Sequence, residues 1–503
     1  MKKFTALFLA LAMLVLVSVG CANTEDTPDT VDTTTAAPTQ NADTTVPADT
    51  TTTEDEDELS GFVKDDIPAD ARLDGKTITL LHWDNADKQE FFSEGQSGEI
   101  VNDSIYSRNL TVEDRLGVML AFVSSPGKYE EQDIFIKKAE NDITSGACEY
   151  DAFATYSMTI ASAAYNGMAT DLRQFDILDF DKPWWPDNLL SESTIYDKLY
   201  FASGDISTNL LYMMYGCFFN KSILEDHGLE NPYELVDNNQ WTLDKMFEMS
   251  ENIYNDANGD SVVGVEDVFA FSTTTYVHLD PFYYTAGLKT MDKNTDGTPV
   301  VSPDLSSEKA INVVNKVRAY LNDGNYANYE DGNKIFKEGR SLFIFDRAQY
   351  AENNLKDATF EYGMVPTPKY DSTQQDFSTV LGFGYTLYCI SNGSKNPEGT
   401  ALVMECMASE SYRQVTPIIF ETCMKYKYAS DNDTSRMYDI LRSTVSFDIG
   451  RIFTMSFNKI TYQYFRNCVR SKTPSDYSTA IKGQVKALER LVDKFAETFA
   501  SFD

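Results

Sequence analysis

The sequence predicts an α/β protein with more than one lobe, and three observations carry this. The chain has 503 residues, more than a single hydrophobic core usually serves. Short apolar runs of strand character alternate with amphipathic helical stretches. A hydrophobic content of 42%, with 13% aromatic residues, excludes a chain that stays unfolded throughout. The formal charge of −36 repels phosphate backbones and anionic lipid, which argues against nucleic acid as a partner.

The chain opens with Lys2 and Lys3 and a nearly pure apolar run from Phe4 to Val19. That run is short for a membrane span and reads as the core of a secretory signal peptide, residues 1–20. Gly20 before Cys21 resembles a bacterial lipobox, with Ser18 where Leu is usual; this implies a lipid on Cys21. Ordinary cleavage nearby with a free Cys21 is the alternative. Residues 22–58 hold eleven acidic side chains, thirteen threonines and no Lys or Arg. Such a segment cannot bury a core, so residues 21–58 are expected to be a tether after the anchor.

In the body, Thr77–Trp83 (TITLLHW) reads as a buried strand after the Asp74-Gly75 turn, and Tyr150–Ala154 as another. A helix is expected over Asn102–Leu116. Leu199–Ile206 and Met213–Asn220 read as strands. Thr242 is placed to cap a helix carrying Leu243, Met246, Phe247 and Ile253 on one face. Ala310–Leu321 and an amphipathic C-terminal segment with Tyr477, Ile481, Val485, Leu488, Val492 and Phe495 read as helices. Asp292–Gly297 reads as a hairpin turn. Six further cysteines lie far apart, without a CxxC, and are expected as buried free thiols.

Much catalytic chemistry lacks its material. There are three histidines, His82, His227 and His278, with no HExxH and no GxSxG. Gly75-Lys76-Thr77 lacks the earlier glycine of a phosphate loop. Asp256-Ala257-Asn258-Gly259-Asp260 sets oxygen ligands at positions one, three and five, with the Val262 carbonyl at seven and Asp267 at twelve. This spacing suits a structural calcium ion. Ser261 replaces the usual glycine and Asp267 the bidentate glutamate, so a polar turn closed by Asx hydrogen bonds is the competing reading. No other cofactor is required.

The order of landmarks over most of residues 75–410 resembles the extracellular solute-binding proteins of ABC importers, the sugar-binding family that includes maltose-binding protein. The similar stretches are ITLLHWDN, YDAFATYSMTIASAAYNGMATDLRQF, KLYFASGDIS through CFFNKSILEDHGL, WTLDKMFEMSENI, FKEGRSLFIFD and YGMVPTPK. The resemblance implies a two-lobed, type II clamp of the periplasmic-binding-protein kind, each lobe an α/β sandwich, joined by a multi-crossing hinge. Crossings are expected near Phe201–Asp205, Asn325–Glu330 and Leu381–Tyr385. The expected N-terminal lobe is residues 59–202 plus 328–380, and the C-terminal lobe 203–327 plus 381–503.

Sugars present hydroxyls at their edges and C–H groups on their faces, so a sugar cleft wants Asp, Asn, Arg and flat aromatics. Trp83, Asp84 and Asn85 supply these at the end of the first strand, and the resemblance implies ligand contact there. Tyr156 and Ser157 follow the second strand. Asp346 and Arg347 end the strand after FKEG, where the related proteins carry an aromatic. Trp184 and Trp185 form a stiff loop between two prolines, either a stacking platform or a hydrophobic plug. Phe383 and Tyr385 lie at a crossing, as cleft lining or hinge packing. Trp241 is expected to anchor its helix, and His82 to face the core. The resulting expectation is a monomeric, lipid-anchored extracellular protein that captures a small solute, an oligosaccharide by resemblance, and delivers it to ABC permease subunits without enzymatic chemistry. The rivals are a surface glycoside hydrolase with paired carboxylates and a calcium-dependent adhesion module.

Overall fold

The computed structural model describes residues 61–502 apart from 275, 324–326, 329–330 and 472–476. The expected signal peptide, Cys21 and the tether to residue 58 lie outside the described residues. Among the described residues no helix is long and apolar enough to cross a membrane.

The chain builds two principal sheets. The strands are β1 (Thr77–Trp83), β2 (Met119–Ser125), β3 (Ala152–Tyr156), β4 (Tyr215–Asn220), β5 (Phe269–Ser272), β6 (Met291–Lys293), β7 (Pro299–Val301), β8 (Ala327–Asn328), β9 (Ser341–Arg347), β10 (Tyr362–Pro366) and β11 (Thr386–Ile390). The first sheet has the order β11-β3-β1-β2 and the second β10-β4-β9-β5-β8; β6 and β7 form a hairpin. β1 runs parallel to both neighbours, pairing Leu81 with Val123 and with Phe153. β4 is antiparallel to β9 and β10, while β5 is parallel to β8 and β9.

Each sheet is sequestered as its composition dictates. β4 is buried along its whole length, the pattern of a strand covered on both faces. The helix α1 (Ile100–Leu116) ends on Gly117 in the left-handed region, φ 57°, which glycine adopts without penalty. It packs near α2 (Pro397–Glu410), which lies on the first sheet. Trp241 is fully buried, donates from Nε1 to the Pro366 carbonyl at 2.7 Å, and Thr242 caps the following helix by accepting from the Lys245 amide. Six cysteines are free among the described residues, five of them buried.

Several expectations are corrected. Leu199–Ile206 is not a strand: it touches the first sheet through one bridge, Ala202 to Tyr388, and then leaves it. At Gly204 an added Cβ would sit 2.2 Å from the Trp184 carbonyl, so the backbone passes too close for a side chain. Residues 328–380 do not return to the first sheet, because β9 and β10 pair with β4 in the second. Nor does all of 381–503 belong with the second sheet, because β11 completes the first by pairing with β3. The crossing expected near Asn325–Glu330 lies largely outside the described residues; within it, β8 sits on the edge of the second sheet beside β5. The passages between sheets therefore run after Ala202 and after Leu381, whose bridge to Met214 holds the two side by side.

A buried carboxyl ties these passages together. Glu90 Oε1 accepts from the Asn209 amide at 2.7 Å, and Oε2 accepts from the Thr386 hydroxyl. Ser207 donates to the Thr386 carbonyl at 2.7 Å, and Trp83 Nε1 donates to Thr386 Oγ1 at 2.9 Å. Burial pushes the Glu90 carboxyl up to about 7, against the pull of the hydrogen bonds from Thr386 and Asn209. The folded chain thus binds this proton more tightly than the unfolded chain. The associated stability is fully present below the unfolded value of 4.5 and is lost as pH rises through 7. Glu90→Gln is expected to raise the melting temperature at pH 8 relative to pH 5, compared with the native chain, in paired calorimetric scans.

Candidate functional site

Parallel strands gather their carboxyl ends at one edge of a sheet, and a ligand finds its crevice there. β1 ends on Trp83 and β3 on Tyr156, while β2 runs into the loop Pro126–Glu130. Across from them stand Tyr215 at the start of β4 and Arg347 at the end of β9, a registered antiparallel pair. Between the two sheets lies a cavity of about 170 Å³, lined by these residues with Asp87, Lys128, Tyr129, Glu130, Val277 and Gly382–Gly384.

Its aromatic wall is continuous. Trp83 and Tyr156 meet edge to face with ring centroids 5.9 Å apart, and Tyr129 lies 6.3 Å from Tyr156. Gly127 lets the loop close on this wall; a Cβ there would meet Thr155 Oγ1 at 2.3 Å and Trp83 Cβ at 2.8 Å. Asn85 secures the same loop, accepting from the Gly127 amide at 3.1 Å and donating to Glu131. Phe383 completes the wall from the second passage, with the Arg451 guanidinium 3.7 Å above its ring. Arg451 is itself held by Asp280 and donates to the Leu381 carbonyl at 2.9 Å.

The polar groups lie opposite. Asp346 is buried and accepts from the Arg347 amide at 2.7 Å and from Arg347 Nε at 3.3 Å, aiming the guanidinium into the cavity. A Cβ on Gly382 would sit 2.8 Å from Arg347 Cδ, so glycine makes room for that side chain. Asp87 accepts from Lys128 at 2.9 Å and from Gln349, which follows β9, at 3.2 Å. Burial would raise the Asp87 carboxyl, but the bonds from Lys128 and Gln349 outweigh it and hold it below the usual range. Burial pushes the His278 imidazole down to about 4 despite Asp346, 3.4 Å away, so the ring is neutral at physiological pH. The Tyr215 hydroxyl is buried without a hydrogen-bond partner.

Of the residues expected at the site, Trp83, Tyr156, Arg347 and Phe383 line the cavity. Asp84 is exposed outside it; Asn85, Asp346 and Ser157 act from behind, Ser157 by donating to the Phe383 carbonyl at 2.8 Å. Tyr385 packs on Phe447 away from the cavity. Trp184 and Trp185 are not a platform here: both are buried and donate to the two oxygens of Glu405 at 3.0 and 3.1 Å. Tyr215, Tyr129, Asp87, Lys128 and Glu130 were not read from the sequence. Recognising β2 would have led to Tyr129 through the strand-end rule, but β2 is a half-exposed edge strand with weak alternation.

In the Asp256 loop, Asp256 accepts from the Gly259 and Ser261 amides at 2.8 Å each, and Asp260 accepts from the Val262 amide at 2.7 Å. Asn258 donates to Asp260 at 3.1 Å. Among the described residues no group of three or more His, Cys, Asp or Glu is gathered as a metal cluster.

A buried hydroxyl without a partner is costly. Tyr215→Phe is expected to leave stability unchanged or raise it by up to about 1 kcal/mol in urea denaturation. A loss of more than that would show that the hydroxyl is bonded in the folded chain.

Comparison with known proteins follows this geometry. Residues 122–414 match the model of the bacterial extracellular solute-binding proteins. No curated protein matches the chain. Among solved structures, the cyclic α-maltosyl-1,6-maltose binding protein from Arthrobacter globiformis is 15% identical, covering 84% of this chain and 98% of its own, with a TM-score of 0.56. The cyclo/maltodextrin-binding protein complexed with maltotetraose is 16% identical over 83% of this chain and 98% of its own, TM-score 0.56. The GacH receptor of Streptomyces glaucescens, solved unliganded and with acarbose, is 16% identical over 83% of this chain and 99% of its own, TM-score 0.52. At these identities the likeness shows a shared two-lobed α/β fold.

Proposed function

Because the chain belongs to the bacterial extracellular solute-binding proteins, we propose that it captures a small carbohydrate between its two sheets and presents it to an ABC permease. The observation that carries this reading is the pairing, in one cavity, of a Trp83–Tyr156–Tyr129–Phe383 wall with the polar edge of Arg347, Tyr215, Asp87 and Lys128. Aromatic faces suit the C–H faces of a sugar; the opposite groups suit its hydroxyls. The solved relatives named for maltose-type sugars support the same solute class. The protein works by binding alone. A glycosidase needs an acid held protonated near neutrality. Asp87, one of the two carboxylates lining the cavity with Glu130, is instead ion-paired and held low. A lipid on Cys21 would keep the body at the outer face of the membrane, with the acidic tether as spacer.

Of the four tryptophans, Trp83 alone lines the cavity. Titration with maltose-series sugars is expected to change tryptophan fluorescence and to release heat in calorimetry. Trp83→Ala and Arg347→Ala are each expected to weaken binding roughly tenfold, about 1.4 kcal/mol. A broad saccharide panel giving no heat would overturn the carbohydrate assignment.

The Asp256 loop enters the same proposal as a structural calcium site. Asp267, at its twelfth position, is fully buried and one of its oxygens, Oδ1, has no hydrogen-bond partner. Calcium would draw Asp256, Asn258, Asp260, the Val262 carbonyl and Asp267 together. Chelation is expected to lower the melting temperature by a few degrees, and calcium but not magnesium to restore it. Asp256→Ala should abolish both effects.

A further inference from the structure

A second cavity lies beside the first passage between the sheets. It measures about 200 Å³ and shares no lining residue with the inter-sheet cavity. Its walls come from the Pro183–Pro186 loop, the passage itself over Gly204–Leu211, and the later residues Thr416, Arg442 and Val445.

One of its polar groups is unmet. Thr208 Oγ1 is buried without a hydrogen-bond partner, while the Thr416 hydroxyl lies beside the Asp205 carboxyl and pulls it down as a hydrogen-bond donor. Thr208 is 2% exposed and Thr416 3%. Native interiors rarely leave such a hydroxyl alone, and beside a cavity of this size it points to an occupant. One water needs only about 10–15 Å³ of such space, so this cavity is more than tenfold larger than one water requires.

The charges specify the occupant. Asp205 forms no ion pair within the described residues, nor does Arg442, whose guanidinium lies 4.7 Å over the Phe420 ring. Both face the same cavity, with Leu210, Leu211 and Trp184 contributing apolar wall. Burial pushes the Asp205 carboxyl up to about 7 in spite of Arg442 and Thr416. Arg442 attracts this carboxyl without pairing with it, and an ammonium beside Asp205 would add a closer countercharge.

We propose that this cavity binds a small zwitterion of amino-acid size, its ammonium on Asp205, Thr208 and Thr416 and its carboxylate on Arg442. The proposal is independent of the carbohydrate reading, since the two cavities have no residue in common. The test is calorimetry and thermal unfolding of the full chain against the twenty protein amino acids, with methylammonium and acetate as single-charge probes. At least one amino acid is expected to bind one-to-one and raise the melting temperature by several degrees. Methylammonium and acetate should bind at least about tenfold more weakly, about 1.4 kcal/mol. Asp205→Asn should weaken the amino acid by the same factor or more. Arg442→Gln should do likewise, and because Arg442 is partly exposed this variant tests the site even if Asp205→Asn does not fold. Binding by none of the amino acids, or equal binding by native chain and both variants, would overturn the proposal.

Discussion

The structure depends on one buried carboxyl at the place where the chain changes sheet. Two passages connect the sheets, and neither is a strand with a ladder to hold it. Glu90 substitutes for that ladder: it accepts from Asn209 on the first passage and from Thr386 where the second rejoins the first sheet. Trp83 donates to the same Thr386 hydroxyl. The residue that forms the cavity wall is therefore fastened to the group that fastens the passages. A buried acid that is protonated near neutrality can serve this purpose without the desolvation cost of a full charge.

The same economy of contacts explains why late residues matter to an early site. Asp280 holds Arg451 and accepts from Arg466 at 2.5 and 2.6 Å, and Arg451 then covers Phe383 and bonds the Leu381 carbonyl. Lys459 reaches Tyr129 at 2.5 Å. The helical region after β11 thus braces both the second passage and the aromatic wall. A cavity with few charged groups free of partners, bounded by rings already in contact, is a site prepared before a ligand arrives.

The fold was legible where a local signal was strong. The apolar run Thr77–Trp83 became β1 with the same bounds, Trp241-Thr242 opened a helix as its capping chemistry requires, and Asp292–Gly297 closed a hairpin. Sheet membership was not legible, because an apolar run such as SLFIFD says that a strand is buried but not beside which partner. That is why β9 and β10 were expected in one lobe and pair in the other. In the site, residues at strand ends were readable: Trp83, Tyr156 and Arg347. Tyr215 was hidden within an apolar run in which nothing distinguishes a cavity-facing phenol from a core ring. For Trp184 and Trp185 the sequence left a sugar platform and a core plug both open, and the plug holds: a buried Glu405 takes both indole N–H groups and draws the pair into the core.

Capture by closure requires that a ligand favour the closed arrangement through contacts it cannot make with either sheet alone. The cavity meets that condition by its composition. Trp83 and Tyr156 belong to the first sheet, and Tyr215 and Arg347 to the second. A solute lying on the aromatic wall and bonded to Arg347 bridges both, and each contact is lost if the sheets separate. Asp87 already spans the gap to Gln349, and Lys88 to Glu352 at 2.6 Å. Such partly exposed contacts contribute little individually. Under the proposed capture by closure, they leave the balance between open and closed forms to be set by the solute.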